Sequence, residues 1–292
     1  MTASFHVRPL RADEADDVYD VTTDAFAAAA ERAHDDPPQA DERMLAAHRR
    51  RIAHSVAHDA GGCWAAERDG RLIGAAIALL REDLWILSLL MVRGEAQGQG
   101  VGRELMRHAL AYAGDRPDGI IAASLDPFAW RRYWAAGFRL LPAALAKGAV
   151  RRAAIPAVAG VRPGRPEDYE LCADLGRRMR GASHGPDLAF LAEGPDGGFW
   201  VSDGAGDRGF VMTFKGSPAL LAADQPATAQ RLLWTALAES DGDVATYFVT
   251  GEQGWAFDVF FRAGLLVRPG TAVFTRGRLG AMHPYLPNGP FL

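Results

Sequence analysis

Residues 90–102 decide the fold of this chain, and they read Leu90-Met91-Val92-Arg93-Gly94-Glu95-Ala96-Gln97-Gly98-Gln99-Gly100-Val101-Gly102. An apolar run enters a turn that holds three glycines within five residues, and a helical pattern follows over residues 103–113. Glycine lets the main chain curl with its N–H groups pointing inward, and at the start of a helix these donors lie at the positive end of the helix dipole. The stretch therefore predicts a strand, a phosphate-binding turn and a helix.

Two common phosphate-binding motifs do not fit this turn. A nucleoside triphosphate loop requires Gly-Lys-Ser/Thr, and the chain has Gly102-Arg103-Glu104 there. A dinucleotide fingerprint that starts at Gly98 requires glycine or alanine at position 103, after a first βα turn. The turn instead follows three apolar runs that read as an antiparallel meander, with a hairpin at Asp69-Gly70. What remains is Gln97-x-x-Gly100-x-Gly102 after an antiparallel sheet.

The rest of the first half predicts alternating helices and strands. Asp35-Asp36-Pro37-Pro38 ends the first helix, and Gly61-Gly62 ends the second. The predicted strands cover residues 5–10, 63–68, 71–80, 84–92 and 120–124, and the predicted helices cover residues 12–30, 41–58, 103–113 and 128–136. This order indicates a mixed α/β sheet, because short connections leave little room for another topology.

The chain also contains an internal repeat. His6-Val7-Arg8-Pro9-Leu10-Arg11 recurs as Gly160-Val161-Arg162-Pro163-Gly164-Arg165, an offset of 154, and residues 103–111 recur as 230–238, an offset of 127. The second copy is therefore 27 residues shorter, and the loss falls between its first strand and its third helix. We expect two domains, over residues 1–152 and 160–292, joined by a linker at residues 153–159.

A second motif makes a family resemblance specific. The stretch Asp126-Pro127-Phe128-Ala129-Trp130-Arg131-Arg132-Tyr133-Trp134-Ala135-Ala136-Gly137-Phe138, together with Gln97-x-x-Gly100-x-Gly102, resembles the two acetyl-CoA motifs of the GNAT N-acetyltransferase superfamily. The resemblance implies an α/β (α+β) fold of two tandem GNAT-like domains, each a mixed, mostly antiparallel sheet flanked by helices. It also implies acetyl-CoA as cosubstrate. Asp126 stands where the family has Asn, and a carboxylate can only accept hydrogen bonds.

The resemblance assigns roles to individual residues. Met91 and Val92 would offer main-chain hydrogen bonds to the pantetheine arm, as a strand edge does to another strand. The cofactor's path along the following helix would be lined by Asp126, Ala129 and Arg132. The residues that would hold the pyrophosphate through their N–H groups are Gln97, Gly98, Gln99, Gly100, Val101, Gly102 and Arg103.

Tyr133 is the candidate catalytic acid. It lies one helical turn after Ala129 and one before Gly137, so the three share a face of the helix. By spacing alone, Tyr133 is either a core residue or an acid. In acyl transfer the leaving thiolate needs a proton, and tyrosine, with an ordinary pKa near 10, suits a thiolate of similar basicity. In the motif, the acid role is favoured, and the Val92 amide is the natural donor to the thioester carbonyl oxygen.

A general base is not assigned by the sequence. Glu82 and Asp83 lie in a turn before the strand at residues 84–92, and a solvated turn is the favoured interpretation of both. Ser88 is the only hydroxyl in that strand. It is either an ordinary strand residue or the holder of a water that acts as base.

No metal is expected. His54 and His58 are four residues apart on a predicted helix, but no His-Glu-x-x-His pattern is present, and Arg49-Arg50-Arg51 follows His48. We interpret these histidines as part of a solvated face. The two cysteines, Cys63 and Cys172, form no Cys-x-x-Cys pair, so the sequence indicates neither a zinc site nor a disulfide framework.

The composition of the chain limits the binding partners and the cellular compartment that we expect for the protein. Lys and Arg number 32 against 36 Asp and Glu, a net charge of −4, so nucleic acid is not an expected partner. The apolar runs are too short to span a membrane, and charges stand where a signal peptide needs its apolar stretch. We expect a cytoplasmic protein without a membrane partner.

The second copy lacks the groups that the first copy offers. At the offset of 127, Gln97, Gln99, Gly100 and Gly102 become Asp224, Pro226, Ala227 and Ala229, and Tyr133 becomes Phe260. Proline has no N–H, aspartate repels an anion, and alanine does not curl as glycine does. We expect the second domain neither to bind acetyl-CoA nor to catalyse, but to stabilise the first domain or shape the acceptor pocket. Residues 282–292 should pack as an extended strap.

The leading prediction is an acetyl-CoA-dependent N-acetyltransferase that acts on a small-molecule amine by direct attack in a ternary complex. One alternative is a non-catalytic acyl-CoA-binding or regulatory module. Another is a protein or peptide N-acetyltransferase. The sequence does not predict the acceptor's identity or the oligomeric state.

Overall fold

The computed structural model describes residues 4–33, 42–194, 197–214 and 216–292. The chain forms two compact units. The first comprises Met1–Leu80 and Trp85–Arg116, and the second comprises Arg81–Leu84 and Pro117–Leu292. This division follows spatial packing and differs from the division into two sequence copies, so the domain boundaries given above stay a prediction. The predicted helix stop at residues 35–38 lies outside the described residues.

The first unit contains the sheet and helices predicted around the glycine-rich turn. Its strands neighbour one another in the order β1-β2-β3-β4, and β2 pairs antiparallel with both β1 and β3. Asp69 and Gly70 both have positive φ, 51° and 76°, as the predicted two-residue hairpin turn requires. Its elements are β1 (His6–Pro9), α1 (Ala15–Ala33), α2 (Glu42–Asp59), β2 (Cys63–Arg68), β3 (Arg71–Arg81), β4 (Leu84–Val92) and α3 (Val101–Ala111).

The second unit contains the remaining elements of the first copy and the whole second copy. From the first copy it holds β5 (Gly119–Ser124), α4 (Pro127–Ala135) and β6 (Arg139–Ala149). The second copy supplies β7 (Arg162–Pro163), α5 (Tyr169–Arg180), α6 (Asp187–Ala192), β8 (Gly198–Gly204), β9 (Asp207–Phe214), β10 (Ser217–Ala223), α7 (Pro226–Ala238), β11 (Asp243–Thr250), α8 (Gly254–Arg262), β12 (Leu266–Arg276) and β13 (Tyr285–Leu286).

The two copies exchange their last strands. The order in the second unit is β5-β12-β6-β11, so β12 pairs antiparallel with β5 and β6, and β11 pairs with β6. β6 and β12 begin at Arg139 and Leu266, which are 127 residues apart. Because equivalent strands carry the same apolar pattern, each copy's strand can complete the other copy's sheet, as in a domain swap. The repeat predicts these strands, but not which partners they choose.

A separate five-stranded sheet has the order β13-β10-β9-β8-β7 and packs against α7. The helices of the two copies bury equivalent positions. Val101, Leu105 and Met106 are buried in α3, and Thr228, Leu232 and Leu233, each 127 residues later, are buried in α7. The burial pattern therefore agrees with the repeat. The predicted mixed α/β fold, with two sheets flanked by helices, is confirmed.

Residues 281–292, which include the predicted strap, pack within the second unit, contribute the short strand β13, and bury Tyr285, Leu286 and Phe291. The prediction of an extended segment is correct only in part, because residues 283–284 and 289–291 form turns. Among the described residues, no helix has the length and apolar character needed to cross a membrane.

Candidate acyl-transfer site

The glycine-rich turn lies in the first unit, between β4 and α3. A single turn of 3-10 helix at Gly94–Ala96 follows the strand, and Gly98 and Gly100 then take the left-handed conformation, with φ of 77° and 89°. Gly100 caps α3, which starts at Val101. Residues with side chains rarely adopt this conformation, so Gly98 and Gly100 are required by the path of the main chain.

The turn leaves a row of main-chain donors free. The N–H groups of Arg103 and Glu104 donate to the carbonyl oxygen of Gly100 at 3.1 and 3.0 Å, and that of Gln97 donates to Gly94 at 3.2 Å. None of the five main-chain N–H groups of residues 98–102 donates a hydrogen bond to another main-chain group in the described part of the chain. Five consecutive donors at the positive end of a helix dipole are an arrangement that suits an anion.

Two glutamine side chains brace the turn. Gln97 donates from Nε2 to the carbonyl oxygen of Val92 at 3.0 Å and accepts from Arg32 at 3.0 Å. Gln99 donates to the carbonyl oxygen of Glu95 at 2.7 Å and accepts from Arg68 at 2.8 Å. Both side chains therefore form hydrogen bonds within the protein. Gln97 and Gln99 would bind an anion through their main-chain N–H groups.

More distant residues fix the entry to the turn, and sequence reasoning missed them. The carboxylate of Asp24 accepts from the N–H of Gly94 at 2.7 Å, and the buried Arg93 donates from Nε to the carbonyl oxygen of Leu72 at 2.8 Å. Asp24 lies 70 residues before its partner, and no local pattern identifies it. Met91 and Val92 end strand β4 directly before this brace.

A depression of about 400 Å³ lies beside the turn in the first unit. Arg103 lies next to Gly100, with its Nη2 3.6 Å from the position a Cβ would take there. His108 lines the depression, and its ring packs at a tilt of 41° against Trp64, with 4.3 Å between ring centroids. The lining residues are Phe5, His6, Val7, Gln99, Gly100, Arg103, Glu104 and His108.

The second motif forms α4, in the second unit. Asp126 caps the helix by accepting from the N–H of Phe128 at 2.9 Å, and Pro127 takes the first helical position. This capping bond is a role that the carboxylate at position 126 can fill as an acceptor. Ala129 and Arg132 are half-buried on the same helix.

Tyr133 is almost fully enclosed. Its side chain is 5% exposed, and its ring packs edge-on against Phe274 at 5.2 Å. Burial, with a smaller effect from the Asp126 carboxylate, raises the pKa of Tyr133 well above its usual value of 10. The phenol is therefore protonated at neutral pH and has a proton to donate.

The candidates for a general base differ in their hydrogen bonding. Glu82, in the second unit, accepts from Arg177 at 2.8 Å and from the N–H of Ser183 at 3.2 Å. Burial acts to raise its pKa, but these hydrogen bonds outweigh burial and hold the pKa of Glu82 below its usual range. A low pKa makes a weak base. In the first unit, the Oγ of Ser88 is buried without a hydrogen-bond partner in the described residues, an environment that suits a bound water.

The histidines of α2 do not form a metal cluster. His48 is buried, so the interpretation of a solvated face is wrong for this residue. It packs against Tyr19 at 5.3 Å between ring centroids, and burial lowers the pKa of His48 to about 3. His58 instead contacts the carbonyl oxygen of His54 at 2.9 Å. Within the described ranges, no three His, Cys, Asp or Glu side chains are close enough to hold a metal ion.

The second copy has a shorter turn. β10 ends at Ala223 and α7 begins at Pro226, so only Asp224 and Gln225 lie between them. Gln225 has an extended φ of −136°, and Asp224 pairs with Arg208 at 3.2 Å and with Arg178. Phe260, at the position of Tyr133, is completely buried.

Residues 16–138 match the acetyltransferase (GNAT) family. No curated protein sequence matches the chain. Three similar solved structures share its fold over nearly the whole length, at low identity. A proposed acetyltransferase from Pyrococcus horikoshii is 14% identical, with a TM-score of 0.77 and coverage of 97% of this chain and 94% of that chain.

The second of these structures is a tandem GNAT protein from the clavulanic acid biosynthesis pathway. It is 18% identical, with a TM-score of 0.60 and coverage of 93% and 98%. The third, a GCN5-related N-acetyltransferase from Sphaerobacter thermophilus, is 15% identical, with a TM-score of 0.59 and coverage of 94% and 96%. At these identities the likeness shows the fold, and it extends across both copies.

Proposed function

We propose that this chain, whose residues 16–138 match the acetyltransferase (GNAT) family, is an acetyl-CoA-dependent N-acetyltransferase that acts on a small-molecule amine in a ternary complex. The observation that carries the proposal is the row of five free N–H groups at residues 98–102. Two left-handed glycines and two glutamine braces hold this row open at the start of α3. A pyrophosphate is the ligand that such a row suits.

When bound, acetyl-CoA supplies an activated acetyl thioester. The N–H groups of residues 98–102 and the neighbouring Arg103 hold its phosphates, and Met91 and Val92 offer main-chain hydrogen bonds to its pantetheine arm. The N–H of Val92 stabilises the negative charge that develops on the carbonyl oxygen. Ala129 and Arg132 line the path along α4, while Asp126 holds the first turn of that helix.

Tyr133 is the proposed acid. As the amine nitrogen bonds to the carbonyl carbon, the carbon–sulfur bond breaks, and the phenol donates its proton to the leaving sulfur. The proton lost by the amine passes to a water held at Ser88, whose buried Oγ has no protein partner among the described residues. The phenol of Tyr133 is protonated at neutral pH, as a tyrosine of ordinary pKa also is, so a proton is present for the leaving sulfur.

The second copy is proposed to be inactive as an acetyltransferase. Its turn lacks left-handed glycines, Pro226 cannot donate a main-chain hydrogen bond, and Phe260 has no hydroxyl. We favour a small acceptor because a second domain can enclose a small substrate, whereas a protein acceptor needs an open groove. Placement in the cytoplasm stays a prediction from the sequence.

Release of CoA thiol tests this proposal. The purified chain is given acetyl-CoA with a panel of small amines, amino acids and short peptides, and mass spectrometry identifies any acetylated product. Amine-dependent thiol release with a small acceptor is expected. Transfer only to peptides would favour the protein acetyltransferase. Cofactor binding without any transfer would identify a non-catalytic acyl-CoA-binding module.

A further inference from the structure

The strap, residues 281–292, is bonded to the second copy through its main chain. β13 pairs antiparallel with the end of β10, with Leu286 opposite Leu221 and Tyr285 opposite Ala222. The N–H of Ala223 extends this ladder by donating to the carbonyl oxygen of Pro284 at 3.3 Å. An extended segment held in this way adds a strand to an open sheet edge, which is how many proteins bind peptides.

The other end of the strap is bonded to α5. The N–H groups of Ala281 and Met282 donate to the carbonyl oxygens of Arg178 and Met179, at 3.0 and 2.6 Å. These are carbonyls of the last turn of α5, which have no partner within the helix. The strap therefore bridges a helix end and a strand end.

Gln253 holds the middle of the strap. Its Nε2 donates to the carbonyl oxygen of Met282 at 2.7 Å, and its Oε1 accepts from the N–H of Tyr285 at 3.1 Å. The side chain is buried at 2% exposure, and its Oε1 also accepts from Trp255 at 2.8 Å. A side-chain amide offers both a donor and an acceptor, so it can form the pair of hydrogen bonds with a main chain that a neighbouring strand would form.

The strap contacts parts of the second copy that correspond to the proposed cofactor-binding parts of the first copy. Gln253 is the residue before α8 and corresponds, at the offset of 127, to Asp126 before α4. β10 leads into α7 as β4 leads into α3. β10 and β11 are linked near their starts, where Ser217 accepts from the N–H of Ala245 at 3.0 Å, but they are not sheet neighbours. The strap occupies the gap that opens between their ends.

We propose that the second copy keeps a binding groove for a segment of main chain, formed by the edge of β10 and by Gln253, and that residues 282–286 are its ligand. The groove's similarity to a pantetheine site rests on the proposed function of the first copy. The groove itself rests on the contacts of the strap. Its ligand class is a peptide that turns, as residues 283–284 do, and then adds a short strand with buried apolar side chains, as Tyr285 and Leu286 do here.

Buried polar groups also depend on the strap. Arg180, with no exposed surface, donates to the carbonyl oxygens of Phe291 at 2.9 Å and of Leu292. The hydroxyl of Tyr285 lies 3.2 Å from Nε2 of His184, whose pKa burial and the nearby arginines lower well below its usual value. Arg180 also donates to the carbonyl oxygens of Ala182 at 3.1 Å and Ser183 at 2.6 Å, so the strap supplies a part of its acceptors. Loss of that part from a buried guanidinium is costly, and the strap therefore stabilises the groove as a ligand stabilises its site.

A cut strap tests this proposal in the otherwise intact chain. A protease site inserted between the exposed Arg278 and Leu279 allows the strap to be severed after folding. We expect the severed strap to remain bound through gel filtration and to be displaced by an excess of labelled peptide of residues 281–292. Gln253→Ala should speed its release at least tenfold. Gln225→Ala, at an exposed glutamine of the same copy, should leave the rate unchanged.

Immediate loss of the severed strap, or equal release rates in the Gln253 and Gln225 variants, would overturn the proposal. Should cutting unfold the chain, amide hydrogen exchange of the uncut variants gives a second measurement. Gln253→Ala should speed exchange at residues 282–286, and unchanged protection there would contradict the groove. Neither experiment uses acetyl-CoA, so the results do not depend on whether the first copy transfers acetyl groups.

Discussion

The entries to α3 and α7 differ although the helices themselves bury equivalent positions. In the first copy, residues 93–100 precede the helix and include left-handed Gly98 and Gly100. In the second, only Asp224 and Gln225 do so, and Gln225 is extended. The two copies therefore share the buried positions of this helix but not the conformation of the turn that precedes it. Anion binding depends here on the path of the main chain, which a conserved core does not supply.

The acid position shows the same contrast. Tyr133 and Phe260 are both buried aromatic residues, at equivalent places in α4 and α8. Packing is satisfied by either ring, so the hydroxyl of Tyr133 is the part that packing does not require. The raised pKa of Tyr133 follows from burial, which a structural tyrosine would share, so the acid role rests on the place of the hydroxyl in the motif and stays a prediction.

The largest expected effect comes from making the first copy resemble the second at this position. Tyr133→Phe should lower kcat about 100-fold, the lower end of what a general acid contributes, while the Kd for acetyl-CoA stays within about twofold. Trp134→Phe, on the exposed face of the same helix, is the matched control and should retain full activity. An unchanged kcat in Tyr133→Phe would remove the acid role.

Strain in the turn should have the next largest effect. Gly100→Ala places a Cβ at a φ of 89°, which costs about 1 kcal/mol, and the shifted N–H groups should weaken CoA binding about tenfold by calorimetry. Gly206→Ala, at a φ of 71° in the β8–β9 hairpin, should lose similar stability and no affinity. Equal CoA affinity in the two variants would show that the turn does not hold the cofactor.

The brace at Gln97 should contribute less. Gln97→Glu replaces the donor to the Val92 carbonyl by a carboxylate and puts a negative charge beside the anion site. We expect the Kd for CoA to rise about fivefold, a loss of about 1 kcal/mol. The same type of substitution in the second copy's turn, Gln225→Glu, should have no effect. A Gln97→Glu variant with unaltered affinity would contradict the bracing role.

Sequence patterns predicted much of the first copy because its signals are local. The strand Leu84–Val92 and the Asp69-Gly70 hairpin lie where they were expected. The helix α3 begins two residues earlier than predicted, at Val101, because Gly100 itself caps the helix. Apolar alternation and turn glycines are enough for such features.

Contacts between distant residues could not be predicted in this way. The exchange of β6 and β12 depends on which of two similar strands pairs with which neighbour. The buried ion pair between Arg81 and Asp187, at 2.6 Å, joins residues 106 positions apart. Gln253 looks like an ordinary polar residue before a helix until its strap contacts are seen. Periodicity carries no information on such partners.

The pH profile should show the smallest effect. Because burial raises the pKa of Tyr133, its protonated form persists to higher pH than that of a free tyrosine. With saturating substrates, kcat should therefore show no loss attributable to this acid between pH 7 and pH 10. A decline in that range that disappears in Tyr133→Phe would mean that the hydroxyl titrates lower than its enclosure implies.

The stoichiometry of CoA binding tests the difference between the copies most directly. Isothermal titration calorimetry of the intact chain should give one site per chain, weakened by Gly100→Ala and unaffected by Gly206→Ala. Two equivalent sites, no site, or a single site that ignores the Gly100 substitution would contradict the conclusion that only the first copy's turn holds the cofactor.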